Sequence, residues 1–438
     1  MTRKMKESGV EWIGEIPDDW SITRLIYLSK DEPNSIVDGP FGSDLKNEEY
    51  VDFGIPIVQL NNINAYNHNL SNKVYISEKK AKALSRHIAI SGDIVIAKMM
   101  PAGRSCILKN DFKEYIVSAD CIRCSLNNRY NSHFVLYSLN SYIIEEAGIL
   151  SKGSTRQRIN LSLVKKFRVI DPPLPTQNRI ASFLDTKCSL IDSTIEKERE
   201  VIDKLKEYRQ AVITEAVTKG IRAGVPMKDS GVEWIGEIPE GWNKRKLNGL
   251  LRSIGSGTTP KSNPLYYDGE YPWLNTGDLA DDFIQNVNKT VTELAIQDHS
   301  PLKLYDAPSV VIALYGATIG KLGITTYPLT VNQACCVMTT KPDLDYKYLF
   351  YALLGIRKYL FILSYGAGQP NISGETIKSL QIPHPPVSEQ HEIVNYLDAK
   401  CSAIDATVQK RELAIEKLTA YKQSLIYECV TGKKEVLG

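Results

Sequence analysis

The chain has 438 residues, 43% of them hydrophobic and 24% charged, with 53 basic and 51 acidic side chains giving a net charge of +2. That length supports two or three domains with real cores, and the ordinary composition excludes a disordered or fibrous protein. No run of 18 apolar residues occurs and the start, MTRKMKESG, has no signal-type apolar stretch, so a soluble cytoplasmic protein with no membrane partner is expected.

The first element, Met5 to Trp20, reads MKESGVEWIGEIPDDW and returns as MKDSGVEWIGEIPEGW at Met227 to Trp242. An internal repeat governs any reading of a fold. A second match follows each copy: QNRIASFLDTKCSLID from Gln177 to Asp192, and QHEIVNYLDAKCSAID from Gln390 to Asp405. The first pair is offset by 222 positions and the second by 213, so the intervening segment is nine residues shorter in the second copy.

Those intervening segments are less alike, but their landmarks align. Asp93 to Lys98 corresponds to Ser309 to Leu314, Gly153 to Ile159 to Gly366 to Ile372, and Pro172-Pro173 to Pro385-Pro386. Within them Val74 to Ile76, Ile94 to Ala97, Val310 to Leu314 and Cys335 to Met338 read as strands bounded by Gly, Pro, Asn and Asp. His133 to Leu139 and Tyr346 to Leu354 read as helices, so each segment is expected to be an α+β domain. Small-residue loops punctuate both, at Asp38 to Ser43, Gly255 to Lys261 and Gly153 to Arg158. Such loops bring backbone N–H groups and short hydroxyls to phosphate, while Arg and Gln reach base edges. Basic residues cluster at Lys152, Arg156, Arg158, Lys165, Lys166 and Arg168, and at Lys244 to Lys246. A run of this kind is either a solvated face or a DNA-facing one, and its place on a duplicated frame favours DNA.

After each Pro-Pro a long heptad pattern begins. Leu184, Cys188, Ile191, Ile195, Glu198, Ile202, Leu205, Arg209, Val212 and Ala216 recur at spacings of four and three. So do Leu397, Cys401, Ile404, Val408, Arg411, Ile415, Leu418, Lys422, Leu425 and Cys429. This is a coiled-coil seam, with Gly220 and Gly432 placed to stop each helix. Glu198 and Arg411 interrupt it at equivalent positions. If the helices run antiparallel, the two either meet and set register or snorkel at the coil surface. Such a seam spans about 50 Å, more than one DNA turn of about 34–36 Å, as a spacer would.

Catalytic look-alikes do not hold. Gly316 to Leu322 has three residues between glycines where a phosphate-binding loop has four, and leucine where a magnesium-binding hydroxyl belongs. Asp171-Pro172-Pro173-Leu174 and Asn263-Pro264-Leu265-Tyr266 imitate an amino-methyltransferase tetrapeptide, but one lacks the final aromatic and the other the second proline. Cys121 and Cys124 form a lone CxxC without the further ligands zinc requires, so the eight cysteines are expected to be buried reduced thiols. No nuclease constellation repeats in both halves.

Taken together, the SGVEWIGEIP entries, the DGPFGSDLK and GSGTTPKS openings, the Gly-x5-Ile segment before Pro-Pro, and Gln177 and Gln390 at the helix starts resemble the specificity subunits of type I restriction-modification systems. One departure is Thr176 before Gln177, where Glu389 before Gln390 is the commoner form. The resemblance implies an α+β fold with a pseudo-two-fold internal repeat. Two target recognition domains, residues 1–172 and 221–386, would be joined by conserved helices 173–220 and 387–432 forming an antiparallel coiled coil. It implies a non-catalytic subunit that recognises a bipartite, asymmetric site in double-stranded DNA. Two modification (methyltransferase) subunits and two restriction (translocase/nuclease) subunits would assemble on it. The subunit itself would hold no metal or cofactor, S-adenosylmethionine and ATP belonging to those partners. The DNA-contacting candidates are Phe41, Ser43, Lys98, Arg104, Arg156 and Arg158 in the first domain, and Thr258, Thr259, Lys261, Tyr315, Lys321 and Gln369 in the second. The competing readings are an atypical restriction enzyme with a cryptic nuclease site and a coiled-coil protein-interaction module.

Overall fold

The computed structural model describes residues 3–150, 158–316, 318–364 and 371–437. The chain divides into two compact units, Met1–Lys197 with Leu413–Gly438, and Glu198–Glu412.

The repeated entry folds identically in both. Strands Met5–Glu7 and Glu15–Pro17 pair antiparallel with Met5 opposite Pro17, and Met227–Asp229 and Glu237–Pro239 with Met227 opposite Pro239. The turn between them requires a left-handed residue at its end, which Gly14 (φ +69) and Gly236 (φ +65) supply. Each hairpin buries two isoleucines and the following tryptophan: Ile13, Ile16 and Trp20, or Ile235, Ile238 and Trp242.

In the first unit a four-stranded sheet (Ser105–Ile107, Ile94–Ala97, Cys121–Cys124, Ile36–Asp38 in order) packs near a five-stranded one built around Tyr115–Val117 and Ile55–Val58. The strand Ile94–Ala97 is apolar at every position because both its faces are covered. Val95 and Ala97 join Val58, Tyr115, Val117 and Cys121 in one core, while Ile94 and Ile96 turn to the helical layer of Phe134, Tyr142 and Ile143. Cys121 and Cys124 thereby point into different cores and cannot share a ligand. Burial pushes both thiols up to about 12. All eight cysteines are free and buried.

The second unit repeats the plan. Strand Val310–Ala313 lies between Cys335–Thr340 and Leu322–Thr325, with Val311 and Ala313 in one core and Val310 and Ile312 in the other. The expected strands at 74–76, 94–97, 310–314 and 335–338 are all present, as are the helices Ser132–Ser138 and Tyr346–Ser364.

The two long helices run Leu174–Lys219 and Val387–Val430. Their pairing is antiparallel inside each unit. In the second, Glu198 meets Arg411 at 2.6 Å and Arg209 meets Asp405 at 2.9 Å; in the first, Lys422 meets Asp192 at 2.6 Å. Of the two options open for Glu198 and Arg411, the pair forms. Both helices end at a left-handed glycine, Gly220 and Gly432, each at φ +75. A methyl group on Gly432 would come within 2.8 Å of Trp20, and one on Gly220 within 3.1 Å of Trp242. The hairpin of each copy therefore seats on the end of the helix that belongs to the other copy.

The buried glutamines at the helix starts explain why both copies keep them. Gln177 accepts from the Asn131 amide and donates to the Pro172 carbonyl, at 2.9 and 2.8 Å. Gln390 accepts from the Asp345 amide and donates to the Pro385 and Asp343 carbonyls, at 2.8, 2.9 and 3.0 Å. One side chain thus ties each helix start to the domain before it. Among the described residues no helix is long and apolar enough to cross a membrane, and no group of three His, Cys, Asp or Glu could hold a metal ion.

Candidate nucleic-acid interface

Three loops converge in the first unit: Gly39 to Gly42, Gln59 to Asn61, and Ser118 to Asp120. They line a cleft of about 380 Å³ together with Leu45 and Tyr50. Each loop is fixed from below. The Ser118 amide donates to the Val58 carbonyl at 2.9 Å, and the Gln59 amide is capped by the Asn62 carboxamide at 2.8 Å, closing a one-turn 3₁₀ helix over Leu60–Asn62. Gly39 runs so close to the third loop that a Cβ there would lie 2.0 Å from the Ser118 carbonyl oxygen.

The second unit repeats the bonds that brace the second and third loops. The Asn332 amide donates to the Leu274 carbonyl at 3.0 Å, and the Asn275 amide is capped by the Asp278 carboxylate at 2.8 Å over the turn Thr276–Asp278. Gly257 also runs close to this segment, one residue earlier, its Cβ position 1.6 Å from the carbonyl oxygen of Val331, the equivalent of Val117. The Ile159 amide bonds to the Lys98 carbonyl as the Ile372 amide bonds to that of Leu314; the Ala97 amide bonds to the Arg104 carbonyl as that of Ala313 bonds to Lys321. These bonds make Phe41 equivalent to Thr259, Gln59 to Asn275, Ala119 to Gln333, Lys98 to Leu314 and Arg104 to Lys321.

The candidate residues distribute over this framework. Phe41, 73% exposed, and the exposed Ser43 stand on the first loop. Arg104 donates to the Leu60 carbonyl at 3.0 Å and braces the second loop. Arg158 pairs with Asp120 at 2.9 Å beside the third, half exposed. Lys98 is a correction. It is buried, with its ammonium on Asp38 Oδ2 (3.1 Å) and the Ala119 carbonyl (2.7 Å), so it holds two loops together and does not face a phosphate. The partner lies 60 positions away, which is why local context misled. In the second unit Thr259 and Lys261 are exposed, while the Thr258 carbonyl accepts from the Trp273 indole at 3.2 Å. Lys321 is exposed, and its ammonium has no partner among the described residues. Tyr315 is half-buried and bridges to Asn371 through the backbone. Arg156 and Gln369 lie outside the described residues. Leu322, in the phosphate-loop look-alike, is fully buried in a strand.

Sequence reasoning missed Gln59, Asn61 and Gln333. Asn61 and Gln333 are exposed amides on braced loops, and Gln333 is bonded to Thr259. The available signal was their position in the copy-to-copy alignment, but that alignment needs the backbone bonds given above. Chemically, the arrangement offers amides, hydroxyls and cations on rigid loops, the groups that contact base edges and phosphates.

The match to known proteins covers the same ground. The family model for the type I restriction modification DNA specificity domain fits residues 42–207 and again 239–417. The MjaX type I restriction enzyme specificity subunit of Methanocaldococcus jannaschii is 26% identical over 437 residues, 97% of this chain and 96% of that protein. The EcoKI specificity subunit of Escherichia coli K12 is 21% identical over 443 residues, 96% and 90% of the two. In fold, the chain resembles one solved in work on complex assembly and conformational transition of the type I R-M system, with a TM-score of 0.73 at 18% identity, covering 96% of this chain and 99% of that one. It also resembles the HsdS subunit from Thermoanaerobacter tengcongensis, with a TM-score of 0.53 at 17% identity, covering 96% and 98%. With its specificity domain present twice, the chain belongs to the specificity subunits of type I restriction-modification systems.

Proposed function

We propose that each α+β domain reads one half of a bipartite, asymmetric site in double-stranded DNA, and that the chain performs no catalysis of its own. The observation that carries this reading is the contrast between framework and side chains. The loop-bracing bonds are the same in both units, while Phe41, Gln59, Ala119 and Arg104 face Thr259, Asn275, Gln333 and Lys321 at matched positions. A shared backbone carrying different hydrogen-bonding groups is what two readers of different sequences require. The duplicated parts, the entry hairpins and the glutamine-anchored helix starts, are the natural docking surfaces for two modification subunits and, with them, two restriction subunits. S-adenosylmethionine and ATP would be held by those partners in the cytoplasm, and the long helices would set the gap between half-sites.

Domain exchange tests this. Replacing residues between about Trp20 and Pro172 with another specificity subunit's first domain should change one half-site of the methylated sequence and leave the other intact. If both half-sites change, the two-reader model fails. Binding should also weaken steeply with salt, by roughly 0.9 in log affinity per log salt for each phosphate contacted. A flat salt response would favour a protein-interaction module.

A further inference from the structure

Among the loops of the second unit, one side chain is both exposed and held in a defined direction by another. Gln333 stands at the apex of the third loop. The Oε1 of its carboxamide accepts from the Thr259 hydroxyl at 2.7 Å, across 74 positions of sequence. The backbone on either side is pinned. Asn332 donates its amide to Leu274 and its side chain to Asn275 Oδ1 (3.0 Å), and the Ala334 carbonyl accepts from Leu314 (2.8 Å). The loop that carries Thr259 is pinned as well, by the Trp273 indole on the Thr258 carbonyl and the Tyr267 hydroxyl on the Pro260 carbonyl (2.8 Å).

We propose that Gln333, oriented by Thr259, is a specificity-determining residue that reads an adenine in the half-site of the second domain. The inference rests on the DNA-recognition reading above. In this arrangement Oε1 is the end of the carboxamide bonded to Thr259, and the bond anchors the side chain. It uses one of the two lone pairs on Oε1, and no described residue takes either hydrogen on Nε2. The side chain therefore presents a donor and an acceptor side by side, at a fixed angle. Adenine displays the complement in the major groove, an N7 acceptor beside an N6 donor. A guanine in that place would put its O6 acceptor against Oε1, and two acceptors repel. Without Thr259 the carboxamide would lose its anchor and rotate, and the edge would no longer be held in one place. The matched position in the first domain is Ala119, with no polar side chain, so the two domains differ here in whether this base is read at all.

The test is selection from a duplex DNA library of random sequence by the full-length chain, with sequencing of what is retained. The wild type should enrich two half-sites. Gln333→Ala should lose the preference for adenine at one position of one half-site, with the rest of the motif kept. Gln333→Glu should shift that position toward cytosine, whose N4 donates to a carboxylate. Thr259→Val should broaden the same position and no other. On the selected duplex, 7-deazaadenine at that position should weaken wild-type binding roughly 5- to 150-fold and leave Gln333→Ala binding unchanged. A motif identical for wild type and Gln333→Ala overturns the proposal while leaving DNA recognition standing. A wild-type chain that enriches no sequence overturns the recognition reading and this inference together.

Discussion

Arg411 Nη1 donates to Glu198 Oε2 at 2.6 Å, joining two positions 213 residues apart. That separation is also the offset aligning the two conserved helices, so the two side chains are equivalents of one another meeting across the seam. Equivalent positions on paired helices can meet only where the antiparallel register is centred. An opposite-charge pair there fixes that register, since a slip of one heptad would set each charge against an apolar neighbour. Glu198→Arg should lower the stability of the second unit by about 1 kcal/mol, and adding Arg411→Glu should restore it. Thermal melts of the single and double variants check this, and failure of the rescue would remove the pairing from the account of register.

Gln177 and Gln390 should be costly to truncate. Each is buried, and each satisfies a backbone amide on one segment and a proline carbonyl on another. Gln177→Ala strands both groups, with an expected loss of about 1–3 kcal/mol for a buried partner left unpaired. The midpoint of denaturant unfolding measures it. A loss no larger than that of an exposed control glutamine would contradict the anchoring role.

Thr176 offers the opposite case. Trp242 donates its indole N–H to Glu389 Oε2 at 3.0 Å, whereas the Trp20 indole nitrogen is buried with no partner among the described residues and Thr176 stands where the glutamate would be. Thr176→Glu should therefore stabilise the first unit by about 0.5–1.5 kcal/mol, the net worth of an intramolecular hydrogen bond. Glu389→Thr should destabilise the second unit by a similar amount. Matched changes of the same sign in both units would show that the indole partner is not the cause.

Gly257→Ala should damage one half-site alone. The added methyl would sit 1.6 Å from a backbone oxygen, which no side-chain rotation relieves, so the first and third loops must separate. Gly39→Ala, at 2.0 Å from the Ser118 carbonyl, should do the same to the other half-site. Sequencing of DNA bound by each variant distinguishes the two, and loss of both half-sites from either change would count against independent readers.

His68 makes the first unit sensitive to acid. It is 1% exposed, stacks edge-on to Tyr115, and its Nε2 has no partner among the described residues. Burial, with Lys109 adding to it and Asp111 opposing, holds its pKa below the ordinary 6.5. The unfolded chain then binds the proton more readily than the folded one, so stability is full above pH 6.5 and falls as pH drops below it. Melts from pH 7.5 to 5.5 should show the decline, and His68→Phe should flatten it.

What could be read from sequence divides along the range of the interactions. The seam from Leu184 to Ala216 and its repeat declare themselves because helix periodicity is local, and Ile94 to Ala97 because a strand covered on both faces is apolar throughout. The duplication of the entry segment was plain from identity alone, though not its hairpin fold. Thr259, picked from a small-residue loop, is exposed, and so is Lys321. Lys98 looked the same and is a strut, because its partner Asp38 arrives from another strand of the sheet. Gln333 was invisible for the mirror-image reason: nothing near it in sequence marks it, and its direction is set by a hydroxyl 74 positions away.

The seating of the first hairpin on the end of the second helix has a topological consequence. Tyr427 donates to the Ile13 carbonyl at 3.1 Å and Lys433 to the same oxygen at 3.0 Å, so the two ends of the polypeptide are neighbours in one folded unit. The chain leaves the first unit, passes through the second and returns, so its opening lies within the first unit. Linking residue 437 to residue 3 through a short bridge and cutting at 221–226 would move the opening to the matching place in the other copy. That permuted polypeptide would begin with the second reader and end with the first, while every bond of the shared frame had its partner still.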